Sequence, residues 1–237
     1  MTDALRQMHC AKLRCKFSMI KPAKNVKLQS FTRGLSDFMS CPYRSNTTER
    51  EVNRFNLASI NDSDVGLKTD LITINPSQIR FKNLEQNPDP LVERVSVYGN
   101  ASLAIPAFAY TFCTGQSIKT LKVLHPIRPQ QPVAFFSPIY LRTLDRFWKG
   151  RGLKSIRLST GFMLINTALE LCEDVHVYGF WPFDTDLQDI PVPYHYYDQM
   201  KPHRYMHKMP EEFVRLLQLH SQGALTLHLQ PCSSDTR

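Results

Sequence analysis

The sequence lacks the patterns that place a chain in a membrane or direct it to the secretory pathway. Its 237 residues contain no run of about 18 apolar residues, the length that a membrane-spanning helix requires. The segment from Met1 to Lys16 has no apolar centre of the kind found in a signal peptide. We therefore expect neither an anchor nor a secretory address within the sequence as given.

Motifs for metals and dinucleotides are missing as well. None of the six cysteines forms the C-x-x-C spacing of a zinc site. Asp184 and Asp186 form an Asp-x-Asp pair, a pattern that holds a divalent cation in many nucleotide-sugar enzymes, but here it is predicted to be an ordinary acidic surface turn. No G-x-G-x-x-G run supports a dinucleotide-binding Rossmann protein. We expect no metal and no cofactor.

The charge of the chain is strongly positive, with a net charge of +8. Lysine and arginine are spread along the chain and are not clustered beside aromatic residues, so we expect no nucleic-acid partner. An anionic sugar nucleotide or an anionic glycan would suit the same positive charge. With 42% hydrophobic and 21% charged residues, the composition is that of a globular protein with one core.

The chain divides into a weakly ordered segment, residues 1–51, and a domain, residues 52–237. Strands and helices alternate in the domain, which predicts a single Rossmann-like α/β fold with a largely parallel sheet and helices on both faces. The predicted strands are Leu71–Ile74, Val95–Gly99, Val133–Phe136, Val175–Tyr178 and Ala224–Leu229, and the predicted helices are Ile139–Lys149, Phe162–Cys172 and one that opens at Met209.

The stretch from Arg157 to Phe183 organises the domain. Ser159, Thr160 and Gly161 form a turn that opens a helix, and the unpaired N–H groups of such a turn can hold a carboxylate or a phosphate. A plain helix cap is the commoner role of serine and threonine at this position. In parallel sheets, ligands bind beyond the carboxyl ends of strands. That rule selects this turn, the loop that holds Asn75 and the loop that holds Trp181.

Two histidines are candidates for acid–base chemistry. If Pro210 lies in the first turn of the last helix, His207 precedes the positive end of that helix, which favours the neutral imidazole that a general base requires. Glu212 would then orient the ring or cap the helix. The alternative is that His207 is an exposed loop residue and Glu212 only complements the helix dipole. The same alternative applies to His195.

Three N-x-S/T sequons, at Asn46, Asn61 and Asn100, are candidate sites of N-glycosylation in a secretory lumen. The pattern is common by chance, so it carries little weight without other evidence.

Several of these segments together resemble the animal sialyltransferases. RLSTGFMLINTALELCEDVHVYGFWPF resembles their small sialyl motif, YHYYD their third motif, and the His207 to Glu212 spacing their very small motif. GFWPF, HYYD, MPEEF and LHSQGALTLHLQPC resemble the α-2,8-sialyltransferase branch in particular. The similarity runs from about Arg54 to Cys232. It implies a variant GT-A glycosyltransferase fold.

The resemblance also implies an activity and a location. These enzymes transfer sialic acid from CMP-sialic acid to a hydroxyl, with inversion and without a metal. In the α-2,8 branch the acceptor hydroxyl belongs to a terminal sialic acid on a glycolipid or a glycoprotein. Such enzymes act on the lumenal side of the Golgi membrane.

Carried onto matching positions, the resemblance assigns roles to individual residues. It implies that His207 deprotonates the acceptor hydroxyl and that His195 donates a hydrogen bond to the departing phosphate. The donor contacts would be made by Asn56, by the backbone N–H groups of Ser159, Thr160 and Gly161, and by Trp181, with Asn75 and Glu212 in support.

The large sialyl motif departs from the family pattern, because only its end is present, as Arg54-Phe55-Asn56-Leu57. The resemblance therefore leads us to expect an incomplete catalytic domain in which Cys172 and Cys232 lack their disulfide partners. The alternative function is that of a truncated or splice product which does not bind donor and at most associates with the full-length enzyme.

Overall fold

A computed structural model of the protein describes residues 52–58, 60, 67–75, 89–172, 174–187, 189–195 and 207–229. The predicted N-terminal segment 1–51 lies outside the described residues. So do the candidate glycosylation sites Asn46 and Asn61 and the candidate disulfide residue Cys232.

The described part of the chain contains six strands and five helices, and strands and helices largely alternate along it. None of the helices in these ranges is long and apolar enough to cross a membrane. The strands are β1 (Asn53–Arg54), β2 (Leu71–Thr73), β3 (Ser102–Ile105), β4 (Val133–Phe135), β5 (His176–Tyr178) and β6 (Thr226–His228); the helices are α1 (Asp89–Ser96), α2 (Thr111–Leu124), α3 (Pro138–Lys149), α4 (Thr160–Leu171) and α5 (Met209–Ser221).

All pairs of these strands are parallel, as the sequence predicts. β1, β2, β3 and β4 form one sheet in that order, with Ile72 paired to Leu103 and Ala104 paired to Ala134. β5 and β6 form a second sheet, in which Val177 pairs with Leu227. Within the described residues the strands thus form two parallel sheets, whereas a single sheet was expected.

The larger sheet is covered on both faces. Successive side chains of a strand point to opposite faces, and the buried residues of β2 and β3 divide accordingly. Leu71 and Ala104 join a core cluster with α3, α4 and α5, while Ile72 and Leu103 join a second cluster with α1. Burying one such leucine or isoleucine side chain contributes about 1.5–3 kcal/mol. The fold class predicted from the alternation of elements is confirmed.

The predicted strand Val95–Gly99 is wrong, because these residues end helix α1 and form the turn after it. Val95 and Val97 alternate as in a strand, yet Leu91, Val95 and Tyr98 recur at the helical spacings of four and three and are all buried. Val97 is 55% exposed. Gly99 then ends the turn with a φ of +59°, a conformation that costs glycine little.

Helix α2 was missed in the sequence, because its buried face is small and polar. Cys113, Ser117, Thr120 and Leu124 point inward. The hydroxyls of Ser117 and Thr120 donate to the carbonyls of Cys113 and Gln116 at 2.7 and 2.9 Å, which satisfies them inside the helix. A helix with so few apolar residues on its buried face gives no hydrophobic period.

Candidate active site

Three predicted site residues from distant segments form one hydrogen-bonded chain. Asn56 accepts a hydrogen bond from the backbone N–H of Asn75 at 3.2 Å. The side-chain oxygen of Asn75 accepts one from the hydroxyl of Thr160 at 2.6 Å, across 85 positions of sequence. Asn56 follows β1, Asn75 follows β2 and Thr160 opens α4. The contacts therefore lie beyond the carboxyl ends of the strands, where ligands of parallel sheets bind.

The backbone at Asn56 has an unusual conformation. Asn56 and Leu57 have φ angles of 55° and 54°. Asparagine tolerates this left-handed region, whereas leucine rarely enters it, at a cost of about 1–2 kcal/mol. The backbone N–H of Asn56 donates to the hydroxyl of Thr73 at 2.9 Å, which helps to hold this conformation.

In the turn that opens α4, some backbone N–H groups are hydrogen-bonded within the protein and others are not. Ser159 is the N-cap, and its hydroxyl accepts from the N–H of Phe162 at 3.1 Å. The N–H of Ser159 donates to Glu212 at 2.7 Å. The N–H groups of Thr160 and Gly161 have no hydrogen-bond partner among the described residues. Two donors at the positive end of the helix dipole thus remain for an anion.

Glu212 fixes this turn to the last helix. Its side chain is 0% exposed, and one carboxylate oxygen accepts the bond from Ser159, while the other has no hydrogen-bond partner in the described part of the chain. Burial raises the pKa of Glu212 to about 7, against the opposing effect of the bonds from Ser159 and the charge of Arg157. The expectation was that Glu212 orients the His207 ring or caps its helix; instead it holds the backbone of Ser159.

His207 is fixed by the backbone on the other side of the same turn. Its Nδ1 lies 3.1 Å from the carbonyl oxygen of Arg157. A carbonyl only accepts, so Nδ1 carries the proton, and Nε2 of the neutral ring is an acceptor. The guanidinium of Arg157 lies 3.5 Å from Nε2. We call the set Arg157, Ser159, His207 and Glu212 the α4–α5 junction.

Sequence reasoning missed Arg157 and Tyr110 as site residues. The guanidinium of Arg157 lies 5.5 Å from the ring centre of Tyr110, and the Tyr110 hydroxyl donates to the carbonyl of Ile156 at 3.3 Å. Burial raises the pKa of Tyr110, and the positive charge of Arg157 opposes that rise. The only sequence signal for Arg157 is its position directly before the Leu-Ser-Thr-Gly run.

His195 lies near the start of α5. Its ring is 4.4 Å from that of Tyr194, whose hydroxyl contacts the sulfur of Met209 at 3.1 Å. His195 is half-buried. The contact with Met209, the first residue of α5, thus places Tyr194 and its neighbour His195 beside the start of that helix.

Trp181 supports the loop that follows β5. Its indole N–H donates to the carbonyl of Thr185 at 2.7 Å, and its ring packs edge-on against Phe183 and Phe213 at 4.9 and 5.6 Å. The residue before it, Phe180, is buried, and its ring is 3.4 Å from the point where a Cβ on Gly161 would lie. The aromatic loop therefore packs against the turn that opens α4.

The acidic pair considered as a cation site has local partners. Asp186 accepts a hydrogen bond from the N–H of Ile190 at 2.9 Å, and Asp184 accepts one at its carbonyl from Val192 at 3.0 Å. Nowhere in the described ranges do three or more His, Cys, Asp or Glu residues group in a way that could hold a metal ion.

Cys172 is disulfide-bonded, so the expectation that it lacks a partner is wrong. The other described cysteine, Cys113, is a buried free thiol, and the partner of Cys172 therefore lies outside the described residues. Asn100 is exposed in the turn before β3.

A family model matches most of the chain. Residues 49–224 match the model of glycosyltransferase family 29, the sialyltransferases, and the chain belongs to this family.

Within the family the chain is similar to several α-2,8-sialyltransferases. It is 45% identical over 186 residues to alpha-2,8-sialyltransferase 8F of Mus musculus, covering 76% of this chain and 47% of that protein. It is 42% identical over 195 residues to alpha-2,8-sialyltransferase 8E of Homo sapiens, covering 78% and 52%. The alpha-N-acetylneuraminide alpha-2,8-sialyltransferase of Bos taurus is 41% identical over 182 residues, covering 76% and 51%. The chain thus spans about half the length of these relatives.

A solved structure supports the fold. The crystal structure of a mammalian sialyltransferase matches with a TM-score of 0.51 at 16% identity, covering 78% of this chain and 62% of that one.

Proposed function

We propose that this chain carries the catalytic site of an α-2,8-sialyltransferase, which transfers sialic acid from CMP-sialic acid to a hydroxyl of a terminal sialic acid. Family membership and the names of the relatives support this activity, and one of those names specifies an alpha-N-acetylneuraminide. The net charge of +8 suits a donor and an acceptor that are both anionic.

One observation carries the proposal: the segment from Arg157 to Gly161 holds a candidate base and a candidate anion site at once. The carbonyl of Arg157 holds His207 at 3.1 Å, and the N–H of Ser159 is held by Glu212 at 2.7 Å. The N–H groups of Thr160 and Gly161, which form the candidate anion site, come directly after Ser159 in the sequence. A base and an anion site fixed on one short segment keep two substrates in a constant relative position, which is the main requirement of a transfer reaction.

In the proposed complex, the N–H groups of Thr160 and Gly161 bind the carboxylate of the donor sialic acid. Asn56, linked to Thr160 through Asn75, contacts the donor, and Trp181 flanks it. His195 donates a hydrogen bond to the phosphate of CMP as it departs. CMP is a good leaving group, so a hydrogen-bond donor and a helix dipole can replace a metal or another cofactor.

In the proposed reaction, Nε2 of His207 takes the proton of the acceptor hydroxyl. The hydroxyl oxygen attacks the anomeric carbon of the donor from the face opposite CMP, and the bond to the phosphate oxygen breaks, with its electron pair leaving on CMP. The configuration inverts. The carbonyl of Arg157 accepts a hydrogen bond from Nδ1–H throughout, which stabilises the imidazolium that forms.

The proposed setting is the lumenal side of the Golgi membrane, with the acceptor sialic acid on a glycolipid or a glycoprotein. The exposed sequon at Asn100 is compatible with a lumenal protein.

A transfer assay tests this function. The purified chain is incubated with CMP-sialic acid and a sialylated oligosaccharide, the elongated product is detected by mass spectrometry, and CMP binding is measured by calorimetry. We expect His207→Ala to lower the transfer rate at least about 100-fold while CMP still binds. The control His125→Ala, at the exposed end of α2, should leave both unchanged.

Two outcomes would contradict the proposal. Full transfer by His207→Ala would show that another group is the base. A wild-type chain that neither binds CMP nor transfers sialic acid would favour the alternative, a truncated product that at most associates with a full-length enzyme.

A further inference from the structure

Two aromatic side chains lie at the start of α2, beside the candidate active site: Tyr110, its half-buried N-cap residue, and Phe112, in its first turn. The rings of Tyr110 and Phe112 stack at 5.6 Å with an angle of 17° between their planes. Phe112 is 54% exposed, although aromatic residues are usually found in cores or at binding surfaces. We call Tyr110 and Phe112 the aromatic ledge.

Arg157 joins the aromatic ledge to the candidate base. Its guanidinium lies 5.5 Å from the centre of the Tyr110 ring and 3.5 Å from Nε2 of His207. The Tyr110 hydroxyl donates to the carbonyl of Ile156, the residue that precedes Arg157, at 3.3 Å. One side chain therefore spans the distance between the ledge and the atom that would take the acceptor proton.

The guanidinium of Arg157 has N–H donors that can bind a ligand. Its contact with Nε2 of His207, at 3.5 Å, is at the outer limit of a hydrogen bond, and its Nε is buried without a hydrogen-bond partner in the described ranges. A guanidinium carries five N–H donors in a planar fork that matches a carboxylate. Arg157 is thus suited to bind a carboxylate placed beside the base.

The carboxyl group that interacts with the charge of Arg157 is that of Glu212, which is buried and whose pKa burial raises to about 7. The first turn of α2 contains no acidic residue. The carboxylate that influences Tyr110 is that of Asp145, and Lys149 pairs with it at 2.8 Å. The surface is positive where Arg157 lies and aromatic beside it.

We propose that Arg157 and the aromatic ledge bind the terminal sialic acid of the acceptor. The guanidinium of Arg157 pairs with the carboxylate of that sugar, and Tyr110 and Phe112 pack against its apolar face. A hydroxyl of the same sugar then reaches Nε2 of His207. This inference rests on the proposed function, and it assigns selection of a sialylated acceptor over a neutral one to these three residues.

The test measures acceptor binding separately from donor binding and from transfer. Sialyllactose and lactose are titrated into the chain and followed by NMR, and CMP is titrated by calorimetry. We expect sialyllactose to bind and lactose, which lacks the carboxylate, to bind at least about tenfold more weakly. Phe112→Ala and Arg157→Gln should each weaken sialyllactose binding about tenfold, with CMP affinity in Phe112→Ala within about twofold of wild type.

The matched control is Ile118→Ala, an exposed apolar residue on the same helix, 49% exposed, which should bind sialyllactose as wild type does. Equal binding of sialyllactose and lactose, absence of sialyllactose binding, or unchanged binding in Phe112→Ala would overturn the inference. If CMP binds and sialic acid is transferred while Phe112→Ala keeps normal acceptor affinity, only the ledge is wrong. If the chain neither binds CMP nor transfers, the proposed function itself fails.

Discussion

The α4–α5 junction and the aromatic ledge meet at Arg157, yet they are built in opposite ways. In the junction the backbone makes the contacts: Glu212 is 0% exposed and holds the N–H of Ser159, and the carbonyl of Arg157 holds His207. In the ledge side chains make the contacts, and Phe112 is exposed while Tyr110 is half-buried. The groups proposed to act on the donor and on the proton are thus held by the backbone, whereas the surface proposed to meet the acceptor glycan is more open.

The largest effect is expected from Glu212→Ala, which breaks the junction. The change leaves the buried N–H of Ser159 without an acceptor and creates a cavity, so the free energy of unfolding should fall by about 2–4 kcal/mol. Urea unfolding measures it, and CMP binding should be lost with it. The neighbouring carboxylate of Glu211, paired with Lys208 at the surface, is the control, and Glu211→Ala should change stability by no more than about 0.5 kcal/mol. Equal losses of stability in the two variants would show that the buried hydrogen bond from Ser159 to Glu212 does not stabilise the junction.

The charge of Glu212 makes the stability of the protein depend on pH. Its pKa is raised from 4.5 to about 7, so the folded protein binds this proton more tightly than the unfolded chain does. The resulting stability is present below about pH 4.5 and is lost as the pH rises towards about pH 7. Glu212→Gln keeps an oxygen for Ser159 but cannot ionise, so its stability relative to wild type should rise by about 2–3 kcal/mol between pH 4.5 and pH 8.

Urea unfolding of wild type and Glu212→Gln at both pH values gives this quantity, because taking the difference between the two proteins cancels the other titrating groups. A difference that does not change with pH would mean that Glu212 ionises normally.

A smaller effect is expected at Asn75, which lies between the junction and the strands. Asn75→Ala removes the acceptor of the Thr160 hydroxyl and should cost about 1 kcal/mol of stability, with CMP affinity about five- to tenfold lower. Calorimetry with CMP measures the affinity. Asn100→Ala, an exposed asparagine in a turn, is the control and should behave as wild type; a similar loss in both variants would count against a donor role for Asn75.

The smallest effect is expected from Tyr110→Phe in the ledge. The change removes only the hydroxyl, whose bond to Ile156 is long and exposed, so stability should change by less than about 0.5 kcal/mol. Sialyllactose affinity should stay within about twofold of wild type, because the ring face remains. NMR titration measures it. A loss as large as that of Phe112→Ala would mean that the hydroxyl, and not the ring, makes the contact.

Sequence alone predicts the elements whose apolar period is strong and whose ends carry proline or glycine. Helices α3 and α5 begin at or beside Pro138 and Pro210 and were placed to within one or two residues. The end of helix α1 and the turn after it were mistaken for a strand, because Val95 and Val97 alternate. Only tertiary contacts decide which of the two is buried. Helix α2 gave no signal, because two of the four residues on its buried face are Ser117 and Thr120.

In the candidate site, too, residues that are brought together only by tertiary contacts were not predicted from the sequence. The family resemblance selects Asn56, Ser159, Thr160 and His207, because their motifs are local. It does not select Tyr110, since the bond from Tyr110 to Ile156 spans 46 positions and depends on how α2 packs beside the turn. The hydrogen bond from the N–H of Ser159 to Glu212 likewise joins residues 53 positions apart. Contacts of this kind follow from topology and cannot be obtained from periodicity.

In the proposed complex, the segment from Arg157 to Gly161 positions the donor and the base together. A crystal structure of the chain with an unreactive analogue of CMP-sialic acid tests it most directly. We predict that the carboxylate of the donor lies about 2.8–3.0 Å from the N–H nitrogens of Thr160 and Gly161, with Nε2 of His207 on the side of the anomeric carbon opposite CMP. A donor whose carboxylate is bound elsewhere, or whose CMP lies between the sugar and His207, would contradict the account.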